Sequence, residues 1–343
     1  MEVGVANLAE LSLREFETGV RFGAEWGDVS RPLGGKKLGC GMWVLPPGKA
    51  NVPYHYHLVN EELAVVLGGE PSIRLDDKEY QLEAGDVVAL PPGRDGAHQL
   101  LNRTDRPANL LIASTFLSRD VVFYPDSGKR MYWAEELAAE PPEIKLLVRD
   151  GQVVEDPGFG PYFEGEPVDE PLPETVPAQT PHAHIVSVNA TTWESYEAGP
   201  FRGDRKRVGR SAGARLLGYS LYRLATGDRM WPFHFHHVNE ELFWVRSGYG
   251  ELRTVTGARE IQPGDMILCP IGPNGAHAIK NTGDGPLEIF ALSTMEEPEV
   301  CEYPDSEKVY IMTGSAPGGD EHARTVDLVF QRGDAVEYDV GER

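Results

Sequence analysis

Short apolar runs broken by polar turns recur along the chain at the spacing of an all-β sandwich or barrel, roughly 8 to 12 residues. Glu62 to Leu67 and Glu241 to Val245 are rich in β-branched and aromatic side chains. Ser72-Ile73-Arg74-Leu75 passes through the polar turn Asp76-Asp77-Lys78 to Tyr80-Gln81-Leu82, which predicts a hairpin. Val87 to Leu90, His98 to Leu101 and Asn109 to Ser114 continue the series as strands. A helical reading is confined to one short stretch, Met131 to Ala139.

The pattern occurs twice. His55, Glu62, Gly69, Asp86, His98 and Asn102 recur as His234, Glu241, Gly248, Asp265, His277 and Asn281, every pair 179 positions apart and without a gap between them. The same offset links Tyr124-Pro125-Asp126-Ser127 to Tyr303-Pro304-Asp305-Ser306. An internal repeat of this length predicts two like domains, residues 1–163 and 182–343. Between them, 164–181 is rich in Pro and acidic residues and reads as an extended linker that forms neither ladder nor helix.

Composition narrows the class. A chain of 343 residues, 41% hydrophobic and 25% charged, suits two soluble globular domains, and no apolar run approaches the ~18 residues of a membrane span. The N-terminal residues lack the basic and apolar regions of a secretory signal, which makes the cytoplasm the expected compartment. A net charge of −22 repels phosphate backbones and anionic lipid, so neither nucleic acid nor membrane is expected as a partner. A small molecule is, with the chain itself a monomer or homodimer. Cys40, Cys269 and Cys301 have no CxxC spacing and read as reduced and structural.

The chemistry is carried by His55-Tyr56-His57 and its copy His234-Phe235-His236, each followed by a Glu-Glu pair. Two His at i and i+2 share one face of a strand, and a carboxylate beyond the next turn can return to that face. A third His, His98 or His277, follows a Gly-Asp…Pro-x-Gly turn in which glycines let the backbone bend sharply. Three imidazoles and a carboxylate suit a divalent Fe, Mn, Co, Ni or Zn ion with positions left open for water, substrate or dioxygen. A single His is more often a hydrogen-bonded core residue; six of ten His at ligand spacing in two copies favour metal. His182-Ala183-His184 lacks a carboxylate or third His at the proper distance and reads as linker. Arg94 and Asn274, in the turns before the third histidines, are candidates for substrate contacts.

These residues resemble the two cupin motifs. Gly48, His55, His57, Glu62 and Gly69 match the first, as do Gly227, His234, His236, Glu241 and Gly248; Gly85, Pro91, Gly93, His98 and Asn102 match the second, as do Gly264, Pro270, Gly272, His277 and Asn281. Both copies depart in having four residues, rather than two, between the motif's last Gly and its His, which predicts a longer turn there. The resemblance implies an all-β bicupin: two double-stranded β-helix (jelly-roll) barrels in tandem with little helix, each holding a metal, and it is similar to an uncharacterised bacterial cupin group. It assigns the ligands as His55, His57, Glu62, His98 and His234, His236, Glu241, His277. Glu62 and Glu241 are preferred over Glu61 and Glu240 because they leave six residues before Gly69 and Gly248. The other Glu of each pair then faces outward or bonds a neighbouring backbone group.

Metal-dependent enzymes on this scaffold include dioxygenases, decarboxylases and isomerases, and dioxygenase-like oxidoreductase chemistry is the favoured expectation. The alternatives are a non-catalytic small-molecule-binding cupin or a decarboxylase or isomerase. Phe243 in place of Ala64 predicts the tighter pocket in the second barrel and turnover in the first.

Overall fold

The structure is a computed structural model that describes residues 2–117, 119–135, 143–149, 152–155 and 162–342. It is built almost entirely of strands, and Val208–Ser211 is a single α-helical turn. Each half contains a seven-stranded antiparallel sheet, a smaller sheet that closes the barrel, and a third sheet formed by the tail.

The strands expected from the apolar runs are present as Glu62–Gly68, Ser72–Leu75, Lys78–Gln81, Asp86–Leu90, His98–Leu101 and Ala108–Thr115. One expectation fails. Lys129–Glu135 is a strand paired with Arg119–Tyr124 and Glu143–Arg149, so the first part of the stretch read as helix is extended; positions 136–139 lie outside the described residues. Its Tyr and Trp favour a pleated surface, and pairing on both sides outweighs the helix propensity of the Ala and Glu that follow.

Why Asp86–Leu90 and Asp265–Cys269 are buried throughout instead of alternating follows from the packing. The two large sheets lie back to back. Leu63, Val65, Val87 and Leu111 of the first barrel share one core with Leu242, Met266, Leu268 and Phe290 of the second. The alternate positions, Ala64, Val66, Val88 and Leu110, fill the first barrel, and Phe243, Val245, Ile267 and Ile289 fill the second. Sheets covered on both faces read as continuous apolar runs.

The halves also exchange strands. Gly4–Asn7 adds to the edge of the second barrel against Asp265–Leu268, while Ile185–Ser187 adds to the first against Asp86–Val88. Glu61 and Glu240, 0% and 1% exposed, make the exchange symmetrical. The Glu61 carboxylate accepts the backbone N–H groups of Arg215 (3.0 Å), Leu216 (2.6 Å) and Leu217 (2.7 Å) in the second half. The Glu240 carboxylate accepts those of Lys36 (3.0 Å), Lys37 (2.8 Å) and Leu38 (3.0 Å) in the first. Of the two roles foreseen for these residues, bonding to backbone is the one adopted, across the barrel interface.

The acidic stretch between the halves lies along the first barrel. Val176–Pro177 forms a two-residue parallel ladder with Lys78–Glu79, a departure from the expectation of no ladder; Pro177 lacks an N–H, and Ala178 supplies one to the Glu79 carbonyl at 2.8 Å. No helix among the described residues is long and apolar enough to cross a membrane.

Candidate metal centres

The first and third histidines of each copy face one another across a one-residue antiparallel bridge. His55 N–H donates to the His98 carbonyl (3.1 Å) and His98 N–H to that of His55 (2.8 Å); His234 and His277 repeat the exchange at 3.2 and 2.9 Å. The extra residues before the third His form 3₁₀ turns, Arg94–Gly96 and Pro273–Gly275, which are anchored by Gly93 N–H to the His57 carbonyl and Gly272 N–H to the His236 carbonyl, both at 2.7 Å. Gly93 and Gly272 enter these turns with φ of 91° and 86°. A Cβ on Gly96 or Gly275 would lie 1.9 or 1.7 Å from a proline carbonyl oxygen, so only glycine fits. The longer turn therefore still returns the third His to the barrel. Arg94 and Asn274 sit exposed on it.

The four expected residues of each copy converge. Glu62 Oε2 lies 3.4 Å from Nε2 of His57, 3.4 Å from that of His98 and 3.8 Å from that of His55. Glu241 Oε2 lies 3.2 Å from Nε2 of both His236 and His277, and His236 Nε2 lies 3.2 Å from His234 Nε2. Glu61 and Glu240 are not among them.

The opposite ring nitrogens are committed. Nδ1 of His55, His98, His234 and His277 contacts the carbonyls of Pro53 (2.9 Å), Gly96 (2.9 Å), Pro232 (2.9 Å) and Gly275 (3.0 Å). A carbonyl only accepts, so each Nδ1 carries a proton and Nε2 faces inward. His57 Nδ1 lies 2.6 Å from Asp120 Oδ2, and His236 Nδ1 lies 3.3 Å from Glu299 Oε2 and 3.2 Å from Cys301 Sγ. Asp120 is fixed in turn by Val59 N–H (3.0 Å) and Asn60 Nδ2 (2.9 Å), Glu299 by Asn239 N–H (3.0 Å) and its side-chain amide.

Sequence reasoning missed these two carboxylates. Asp120 and Glu299 are 179 positions apart, as acid against acid, so the repeat carried the signal; the change of residue type hid it. Cys301, which joins His236 and Glu299 in a cluster able to hold a cation, stands behind the ring, at the nitrogen that faces away from Glu241. Partners of this kind orient ligating imidazoles, and their loss typically lowers metal affinity about 10- to 100-fold. Asp120→Asn and Glu299→Gln should therefore each weaken metal binding about tenfold or more in their own barrel, measured by calorimetric titration.

The donor set fits a divalent ion on the structure's own terms. Glu62 Oε2, Glu241 Oε2 and His277 Nε2 are buried and have no hydrogen-bond partner among the described residues. Such orphans are costly unless something else satisfies them. Lone pairs of His234 and His236 facing one another at 3.2 Å require a cation or a proton between them.

Burial holds His55 down to about 3, His98 to about 4 and His234 to about 3, so these rings are neutral at pH 7. Burial also opposes charge on His277, yet Cys269 and Glu241 push it up to about 10, and Glu241 raises His236 well above its ordinary value. His57 is raised by Glu62 and Asp120 against the same burial. Where a carboxylate holds protons on its ligands, an ion must expel them, so binding weakens as pH falls. With two such rings in the second barrel and one in the first, its affinity should fall by up to about two decades per pH unit below pH 8, against at most about one for the first. Metal titrations at pH 6, 7 and 8 on single-barrel variants will check this, and equal slopes would contradict it.

His182 and His184 are structural. His182 Nε2 lies 3.1 Å from Asp76 and His184 Nδ1 lies 2.8 Å from the Ala212 carbonyl, securing the crossing between halves. Asp126 and Asp305 pair with Arg74 and Arg253, both at 2.6 Å, away from the ligands.

A cavity of about 790 Å³ opens over the second centre and is lined by His234, His236 and Glu241 together with Tyr222, Trp231 and Tyr303. Phe243, from which a tighter second barrel was expected, is not among the residues that line it. Phe243 is 1% exposed, its ring 5.2 Å from that of His277, and it packs in the barrel core without filling the mouth.

The model of the cupin domain matches the chain twice, over residues 41–114 and 220–293. An uncharacterized protein of Methanocaldococcus jannaschii is 32% identical over 73 residues, which is 20% of this chain; the chain spans 57% of that protein's length. Oxalate decarboxylase of Lactobacillus farciminis, solved as a formate complex, superposes with a TM-score of 0.52 at 18% identity, covering 85% of this chain and 86% of its own. Bacillus subtilis oxalate decarboxylase, studied for its Mn(II) centres, gives 0.53 at 16% identity over 87% and 78%. The fold is thus shared with these enzymes at a distance at which chemistry does not transfer. With the cupin domain matched once in each half, and the barrels joined through exchanged strands, the chain carries two cupin domains in tandem.

Proposed function

We propose that the protein is a metal-dependent enzyme acting on a small organic molecule, with the second barrel as the working site. The observation that carries this reading is that His234, His236 and Glu241, the last with its unpartnered Oε2, form part of the wall of a cavity large enough for a metabolite. An ion held by three imidazoles and a carboxylate would supply a Lewis acid with open positions for an oxygen-donor substrate. The chain's own contribution is to fix the donors. Pro232 and Gly275 carbonyls set two tautomers, Glu299 aims the third ring, and Phe243 backs His277 with an apolar surface. Tyr222 and Trp231 wall the substrate space with rings that limit water.

Dioxygenase-like oxidation, in which dioxygen is the oxidant, is the first reaction to test. Decarboxylation is the second reading, favoured by the activity for which the Lactobacillus and Bacillus fold relatives are named. Metal analysis of the purified protein followed by parallel assays of dioxygen uptake and carbon dioxide release, over organic acids, catechols and diketones, separates them. Uptake supports oxidation, and release without uptake supports decarboxylation. Bound metal with neither leaves a small-molecule-binding cupin.

A further inference from the structure

The wall of the cavity away from the ligands carries both charges. Five arginines, Arg205 and Arg207 among them, line the same space as Glu241, Glu297, Asp320, Glu321 and Asp327. Arg205 ends the strand Phe201–Lys206, and Arg207 caps the helical turn after it. Both side chains are mostly buried. Their acceptors are few for their donors: Arg207 reaches Glu321 Oε1 and the Gly319 carbonyl, both at 3.2 Å, and Arg205 stands 3.9 Å from the same Glu321 oxygen. Nε of Arg205 and of Arg207 lies 3.5 and 3.2 Å from one oxygen of Glu194, yet neither makes a hydrogen bond with it, and both are buried.

The repeat provides an internal control. Arg205 stands opposite Tyr222 in its ladder, and at the same offset Trp26 stands opposite Trp43, the two indole rings 6.1 Å apart. Arg207 corresponds to Asp28, whose carboxylate accepts from Arg31 N–H at 3.0 Å. The first barrel presents rings and an acid where the second presents two guanidinium groups. Chain-wide charge is not the cause, because the substitution is local to one mouth.

We infer that the second barrel takes an organic dianion, with one acidic group directed to the ligand set and a second, remote one held by Arg205 and Arg207. This rests on the reading of His234, His236, Glu241 and His277 as a metal centre. Guanidinium forks recognise carboxylate and phosphate alike through paired N–H donors, so the remote group is defined as an oxyanion. A cavity of about 790 Å³ leaves room for an acid longer than two carbons.

The test uses the full chain loaded with zinc and calorimetric titration with butyrate, oxalate, glutarate and 3-phosphonopropionate. Glutarate or 3-phosphonopropionate should bind at least about tenfold more tightly than butyrate and more tightly than oxalate. Which of the two binds better identifies the remote group. The double variant Arg205→Gln/Arg207→Gln should remove that advantage and leave butyrate binding unchanged, while Arg31→Gln in the first barrel changes nothing. Should the double variant fold poorly, phenylglyoxal labelling of the wild type gives the same answer: glutarate should protect Arg205 and Arg207, and butyrate should not. Equal affinity for butyrate and the dianions, an advantage that survives the double variant, or labelling that is indifferent to glutarate would each overturn the proposal. Failure of the metal reading looks different. Zinc would not load the second barrel, while the wild type would still show glutarate protection of the arginines.

Discussion

His234→Ala or Glu241→Gln should remove the ion from the second barrel and lower turnover on the order of a thousandfold or more, the scale expected when a Lewis acid is lost from the reacting centre. His55→Ala and Glu62→Gln should remove the other ion and leave turnover within about threefold of wild type, because the two ligand sets share no residue. Metal content per chain, measured beside activity on the same preparations, shows whether each variant lost the ion intended. The prediction depends on where the cavity lies. A first-barrel variant that kills turnover while the second-barrel variants keep it would move the working site to the other half.

The second large effect concerns the interface. Glu61→Ala should lower unfolding free energy by about 3 kcal/mol or more, at about 1 to 3 kcal/mol for each buried donor left without an acceptor. Three main-chain donors, on Arg215, Leu216 and Leu217, would be left without an acceptor in a buried seam. Glu240→Ala should cost a similar amount through Lys36 to Leu38. Glu61→Gln is the sharper probe, since its amide keeps the shape but turns an N–H₂ toward backbone N–H groups, and it should fall between wild type and Ala. Chemical denaturation of the three variants gives the order, and a Glu61→Ala midpoint equal to wild type would show that the carboxylate is not holding the barrels together.

Much of the site was legible because the copies align without a gap. Once the histidines recur at one offset, the resemblance to the two cupin motifs groups the first and third with the second, and the motif's count to Gly69 and Gly248 separates Glu62 from Glu61. The twin acids were visible as a doublet, but the job of the outer one was not, since its partners lie about 154 residues away in the other barrel and only packing brings them near. Asp120 and Glu299 escaped for a related reason: 63 residues separate each from the histidine it orients. Phe243 does face inward as its place opposite Ala64 implied, and its ring lies in the core beside His277 and outside the lining of the cavity. Lys129–Glu135 was misread because local propensity was weighed without the two strands that flank it.

The reciprocal placement of Gly4–Asn7 and Ile185–Ser187 has a consequence for dilution. In a pair of separate subunits, a traded edge would be held by mass action and lost as the protein is thinned out. Here a covalent tether delivers each edge at a fixed effective molarity, so the mutual embrace of the barrels is a property of one molecule at any abundance in the cell.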